Sequence, residues 1–168
     1  IAKVGDVAVD HDTYVRSGRG LAVCAKDTIK ANFDDSIKML NYRMAEYAYA
    51  VLKDRPHFHI SLICDVSPNC DCHAENDIPI VPDIGMLASF DPVALDMACA
   101  DLVNKMPANP GSVLSDNIEA DVFNECGHHD HEKHDHFEMT HPDTEWRSCL
   151  EHCVKLGIGT MDYELIRI

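Results

Sequence analysis

One stretch constrains this chain more than any other: residues 91–105, DPVALDMACADLVNK. The Asp91 carboxylate can accept from the free N–H groups at a helix start, and Pro92 suits the first helical turn. From there to about Lys105 the residues are apolar nearly all round. A helix without a polar face has to sit in the middle of a fold, covered from several sides. Pro107, Pro110 and Gly111 break the chain beyond it. A chain of 168 residues is long enough to supply the cover, since a domain near this size buries roughly 70% of its unfolded surface.

The rest of the chain reads as the covering elements. Val7 and Val9 suggest a short strand. Asp34-Asp35-Ser36 opens a second helix, along which Ile37, Leu40, Met44, Tyr47, Ala48 and Val51 follow helical spacing until Arg55-Pro56 stops it. Residues 57–64 read as a buried strand, 65–77 as a polar loop and Ile78–Val81 as a short extended piece held by Pro79 and Pro82. Residues 124–142 read as a His-rich, low-complexity loop. Thr144 to Leu156 spaces as a third helix that Gly157 ends in the left-handed conformation, and Tyr163 to Ile168 as a final strand. Helices interleaved with strands predict an α/β fold, a mixed or parallel sheet flanked by helices in a single compact domain. Residues 1–34 read as a separate segment, a degenerate ferredoxin-like one on the spacing given below, and 35–168 as the α/β domain proper.

Net charge is −15, which argues against nucleic acid and against anionic membrane surfaces, both of which need clustered Lys and Arg. No apolar run approaches the ~20 residues of a membrane span. Eight cysteines without a visible secretion signal predict reduced thiols in a cytoplasmic setting, available to metal or simply buried.

Those cysteines fall into patterns. Residues 10–29 carry the spacing of a bacterial ferredoxin loop, Cys-x2-Cys-x2-Cys-x3-Cys. The four ligand positions hold Tyr14, Ser17, Gly20 and Cys24, with Ala25 where Pro usually follows. A cluster needs thiolates, so this reads as a ferredoxin-like segment that has lost its four-iron cluster. Further on, Cys64 ends the strand, and Cys70, Cys72 and His73 sit in the loop after it. Thiolate and imidazole suit zinc or iron–sulfur sites, and loops at strand ends are where α/β proteins usually place them. His57 and His59 share a strand face and could chelate, or pack as ordinary strand histidines. Cys149 and Cys153, four apart on a helix, share a face as well. Residues 126–141 hold Cys126 and six histidines, His128, His129, His131, His134, His136 and His141, a tract able to bind zinc, nickel or copper.

At the central cluster the pattern becomes specific. CDC at 70–72, IPIVPDIG at 78–85, DPVALD at 91–96 and DLVN at 101–104 resemble the domain-of-unknown-function 362 family. The likeness resumes at His141-Pro142 and Trp146, at LGIG over 156–159 and at Tyr163-Glu164-Leu165. Members are often labelled iron–sulfur-centre proteins, and many carry ferredoxin-type clusters just upstream, where the degenerate segment lies here. The resemblance implies a metal or cluster cofactor and leaves the reaction open. Within the matched region Asp83, Asp91 and Asp96 are candidate catalytic carboxylates, with loop-tying or helix-capping as the alternative roles. Asp96 lies in the apolar helix, where a carboxylate must be paired, hydrogen-bonded or protonated.

These readings converge on a metal-binding protein related to iron–sulfur-centre proteins, with redox or electron-transfer chemistry and a redox partner protein. Cys70 and Cys72, with Cys64 or His73, would hold the cluster or a transition metal, zinc first among metals. Two alternatives stand beside it: a zinc, nickel or copper buffer built on the His-rich loop, and a non-catalytic structural subunit. No nucleophile elbow, P-loop or dinucleotide fingerprint occurs.

Overall fold

The structure is a computed structural model that describes residues 2–4, 7–9, 36–69, 76–120, 135–142 and 144–168. At the N-terminus β1 (Ala2–Val4) pairs antiparallel with β2 (Val7–Val9). Helix α1 (Ser36–Leu52) follows, then β3 (His59–Ile63), β4 (Gly85–Ser89), α2 (Pro92–Lys105), α3 (Val113–Glu119), α4 (His136–Thr140) and α5 (Trp146–Lys155).

Helix α2 is central, as its composition requires. Val93, Ala94, Leu95, Met97, Ala98, Ala100 and Val103 are buried along it. Its C-terminal half reaches a cluster of Ile63, Ile80, Val81, Val103, Leu114 and Met139, contributed by β3, the 78–81 segment, α3 and α4. Its N-terminal half packs Val93 and Met97 against Ala45 of α1 and Leu150 and Cys153 of α5. Removing a buried Leu such as Leu114, which is fully enclosed, leaves a cavity that costs about 2–5 kcal/mol.

Strands β3 and β4 are antiparallel, with His59 opposite Ser89, Ser61 opposite Leu87 and Ile63 opposite Gly85. Alternation sends His59, Ser61 and Ile63 toward α2 and Ile60 and Leu62 to the other face. That other face is open: Ile60, Leu62, Met86, Phe58 and Phe90 are all exposed, and the two phenyl rings lean on each other at 4.9 Å.

The observed elements depart from the sequence reading in several places. Residues 85–89 form β4, where no strand was expected. Residues 113–119 form α3, with the Ser112 hydroxyl accepting from Ser115 N–H as its N-cap. The His-rich stretch is not loop throughout, because Asp135 caps α4 by accepting from Phe137 and Glu138 N–H. Residues 163–168 pair with no strand among the described residues. Tyr163 instead donates its hydroxyl to Asp101 at 2.7 Å, and that bond pushes the phenol up to about 12. Gly157 does end α5 with φ +74°. No helix among the described residues is long and apolar enough to cross a membrane.

Candidate functional site

Two places gather the sequence-predicted groups. The first is the loop after β3. Asp65 turns the chain there with φ 48°, a conformation Asp tolerates better than most residues. Its N–H donates to Asp83 Oδ1 at 2.9 Å. Ile80 N–H donates to Val66 O and Ile84 N–H to Ile63 O, so residues 64–84 leave the strand end and return to it. Asp83 therefore ties the loop's base. Farther out the loop is pinched again. Asn69 N–H donates to Asn76 Oδ1 at 3.2 Å, and Asn76 Nδ2 donates back to Asn69 O at 3.1 Å. The Ser67 hydroxyl also reaches Asn69 O. On the neck sits His141, whose Nε2 meets the carbonyl of Pro68. Cys70, Cys72 and His73 fall between the two asparagines in sequence and outside the described residues, while Cys64, at the end of β3, is a half-buried free thiol. Sequence reading singled out the cysteines and missed the asparagine clamp; two asparagines flanking a Cys-x-Cys was its only signal.

The second place is the side of α2 that meets β3 and α5. Asp96 and Cys99 project from α2, His59 and Ser61 from β3, and Cys149 and Cys153 from α5. Asp96 is exposed on one side; the protein massed on its other side raises its carboxyl above the ordinary range, against the pull of His59. Burial also raises the Cys99 thiol, which Ser61 counters by hydrogen bonding and Asp96 reinforces. Cys149 is likewise raised by burial, and Cys153 is pushed to about 12 by burial and by Cys149. All three thiols are thus held protonated and make poor nucleophiles. His59 Nε2 lies 2.9 Å from His57 Nδ1, so His59 at the start of β3 and His57 just before it hydrogen-bond each other.

Two other candidates have structural partners. Asp91 Oδ1 accepts from Val93 and Ala94 N–H, and its Oδ2 from Thr160 N–H at 2.9 Å, making it both helix cap and clamp on the C-terminal segment. His136 belongs to α4, is buried, and sets Nδ1 against the carbonyl of Val103 at 3.0 Å. The expectation that it belongs to a free loop with the other histidines is corrected by this packing.

Among the described residues no three His, Cys, Asp or Glu side chains converge as a metal site. The described donors therefore do not fit a resident ion by themselves. His128, His129, His131, His134, Cys126 and the whole ferredoxin-spaced segment, including Tyr14, Ser17, Gly20 and Cys24, lie outside the described residues.

With this geometry in view, comparison with known proteins defines the class. The family model described as domain of unknown function (DUF362) matches residues 11–101, more than half of the chain. The chain belongs to that family. The match takes in the ferredoxin-spaced segment, the Cys-x-Cys loop and most of α2. Neither the curated proteins nor the solved structures give a match.

Proposed function

We propose that this chain is a metal-binding protein related to iron–sulfur-centre proteins, with Cys70 and Cys72, helped by Cys64 or His73, as ligands of a cluster or of a zinc-class ion. The observation that carries this reading is the neck beneath them. The Asn69–Asn76 clamp fixes both ends of a six-residue interval that holds two thiols and an imidazole, and His141, the last histidine of the His-rich tract, is bonded to that same neck. Ligands presented from a tied loop lose less chain entropy on binding than ligands on a free one. A bound cluster would supply one-electron chemistry; the chain's own residues would set its position and exposure. Free thiols at Cys64, Cys99, Cys149 and Cys153 agree with a reducing, cytoplasmic setting; a redox partner protein is part of the same reading.

A second reading, zinc, nickel or copper buffering by His128, His129, His131 and His134, has one observation in its favour. Asp135, immediately after His134, caps α4 and accepts from Trp146 Nε1 at 2.8 Å, so that end of the tract is firmly anchored. We also take β3 and β4, antiparallel to each other, to belong to a larger mixed sheet whose open apolar face is of the kind a further layer covers.

Purification without oxygen, followed by metal and sulfide analysis and an absorption spectrum, tests the proposal. Iron with sulfide and broad visible absorption, lost together in Cys70→Ser/Cys72→Ser, is expected of a cluster; colourless zinc lost in the same variant is expected of an ion site. Metal content unchanged in the double variant refutes the site.

A further inference from the structure

The metal reading leaves one cleft unused. It has a volume of about 440 Å³ and lies between the end of α1 and the turn after α5. One wall is made where the chain leaves α1. Lys53 and Arg55 close the helix end by donating their N–H groups to Tyr49 O and Leu52 O, and Asp54 between them reverses the chain with φ 60°. His57 follows on the same wall. Gly157 and Ile158 form the other wall.

Three groups on this rim can carry positive charge, against the one carboxylate of Asp54, in a chain whose net charge is −15. None of Lys53, Arg55 and His57 has a carboxylate partner among the described residues. Lys53 Nζ stands 5.7 Å from the centre of the Tyr49 ring, a contact that leaves its donors unused. Two helix C-termini border the cleft and attract cations weakly. Some of their last carbonyls are met by backbone N–H groups: Tyr49 O and Leu52 O of α1 by Lys53 and Arg55, and His152 O, Val154 O and Cys153 O of α5 by Leu156, Gly157 and Ile158.

The histidine pair fixes what His57 offers. Its Nδ1 is engaged by His59 Nε2 at 2.9 Å. With Nδ1 so engaged, Nε2 is the His57 ring nitrogen left to meet a ligand, and it donates when it carries a proton. Lys53, Arg55 and His57 thus all offer donors from one rim. A carboxylate has two oxygens to receive them; a phosphoryl group has three and a second negative charge. The cleft is larger than a bare phosphate, and Tyr49 and Ile158 offer apolar surface to whatever the phosphate is attached to.

We propose that this cleft binds the phosphoryl group of a small phosphate ester through Lys53, Arg55 and His57. The site is separate from the Cys70–Cys72 loop and does not depend on metal there. The test is titration of the full chain with phenyl phosphate, inorganic phosphate and benzoate, read by calorimetry and by the histidine ring signals in NMR, with His57→Gln assigning the His57 signal. Phenyl phosphate is expected to move the His57 signal saturably. The His152 ring, stacked on Tyr42 at the α1–α5 contact, should stay still. Lys53→Gln/Arg55→Gln, two exposed positions, should weaken binding at least ten-fold. Equal binding of inorganic phosphate supports the same phosphoryl site and removes the need for an ester. The proposal is overturned if sodium chloride at matched ionic strength produces the same shift, if benzoate binds as tightly as phenyl phosphate, or if the double variant binds like the parent.

Discussion

Gly159 should be intolerant of even one methyl group, and the reason is Asp91. A Cβ built on Gly159 would lie 2.0 Å from Asp91 Oδ1, 2.6 Å from Cγ and 2.7 Å from Oδ2. The carboxylate cannot step aside freely, because it receives Val93 and Ala94 N–H on one oxygen and Thr160 N–H on the other. The least costly relief for Gly159→Ala is to give up the Thr160 bond and lift the C-terminal segment. A hydrogen bond to a charged group contributes about 1.5–3 kcal/mol, and the half-exposed position argues for the low end, about 1.5 kcal/mol. Asp91→Ala removes that bond and the helix cap, itself worth about 1 kcal/mol, for a total of about 2.5 kcal/mol. The double variant separates the causes. Without the carboxylate the methyl group has nothing to strike, and Gly→Ala gains about 0.4–1 kcal/mol from the unfolded chain. Gly159→Ala should therefore destabilise the parent and be neutral or stabilising in the Asp91→Ala background. Urea unfolding followed by fluorescence of Trp146, the single tryptophan, measures all four corners of the cycle. In a chain of this size 1.5 kcal/mol corresponds to a Tm shift of about 3–6 °C. Equal effects of Gly159→Ala in the two backgrounds would refute the clamp.

Three further outcomes follow from the α2 face and the His-rich stretch. Asp96 binds its proton more tightly folded than unfolded, so in the window from the ordinary carboxylate value up to its raised one the native state holds more protons and stability falls as pH rises; Asp96→Asn should flatten that slope and be slightly more stable at pH 7, and a steeper or unchanged slope in pH-dependent urea melts would contradict the assignment. With Cys153 pushed to about 12, its thiolate fraction at pH 8 is tiny against that of an ordinary thiol near 8.5, and alkylation by iodoacetamide in the native protein should be at least about a hundred-fold slower than after denaturation. Peptide mass spectrometry over time reads this directly, and Cys99 and Cys149, also raised, should lag in the same sense. His136→Asn leaves a cavity and weakens the bond to Val103 O, so it should cost about 1–3 kcal/mol, whereas replacing His128, His129, His131 and His134 with Asn should spare the fold; equal thermal stability of the two variants would mean that His136 is no more embedded than its neighbours.

What the sequence could determine by itself was whatever depends on neighbours along the chain. The cap at Asp91 and Pro92, the end of α1 before Arg55-Pro56 and the left-handed Gly157 are all local, because a cap or a φ angle is chosen within a few residues. The apolar circumference of residues 92–105 likewise required a central helix. The family was legible from the motifs between residues 70 and 101. Tertiary structure decided the rest. Residues 85–89 have little strand preference of their own, and they become β4 because β3 offers backbone groups opposite them and α2 covers the pair. Residues 163–168 look like a strand and lack a partner among the described residues, since a ladder needs a second chain segment in register. Asp96 was visible as an anomaly in an apolar helix, but its grouping with His59, Cys99, Cys149 and Cys153 exists only where α2, β3 and α5 pack. The Lys53–Arg55–His57 cleft was invisible for the same reason: its second wall comes from a turn about a hundred residues later, and separation in sequence carries no record of distance in space.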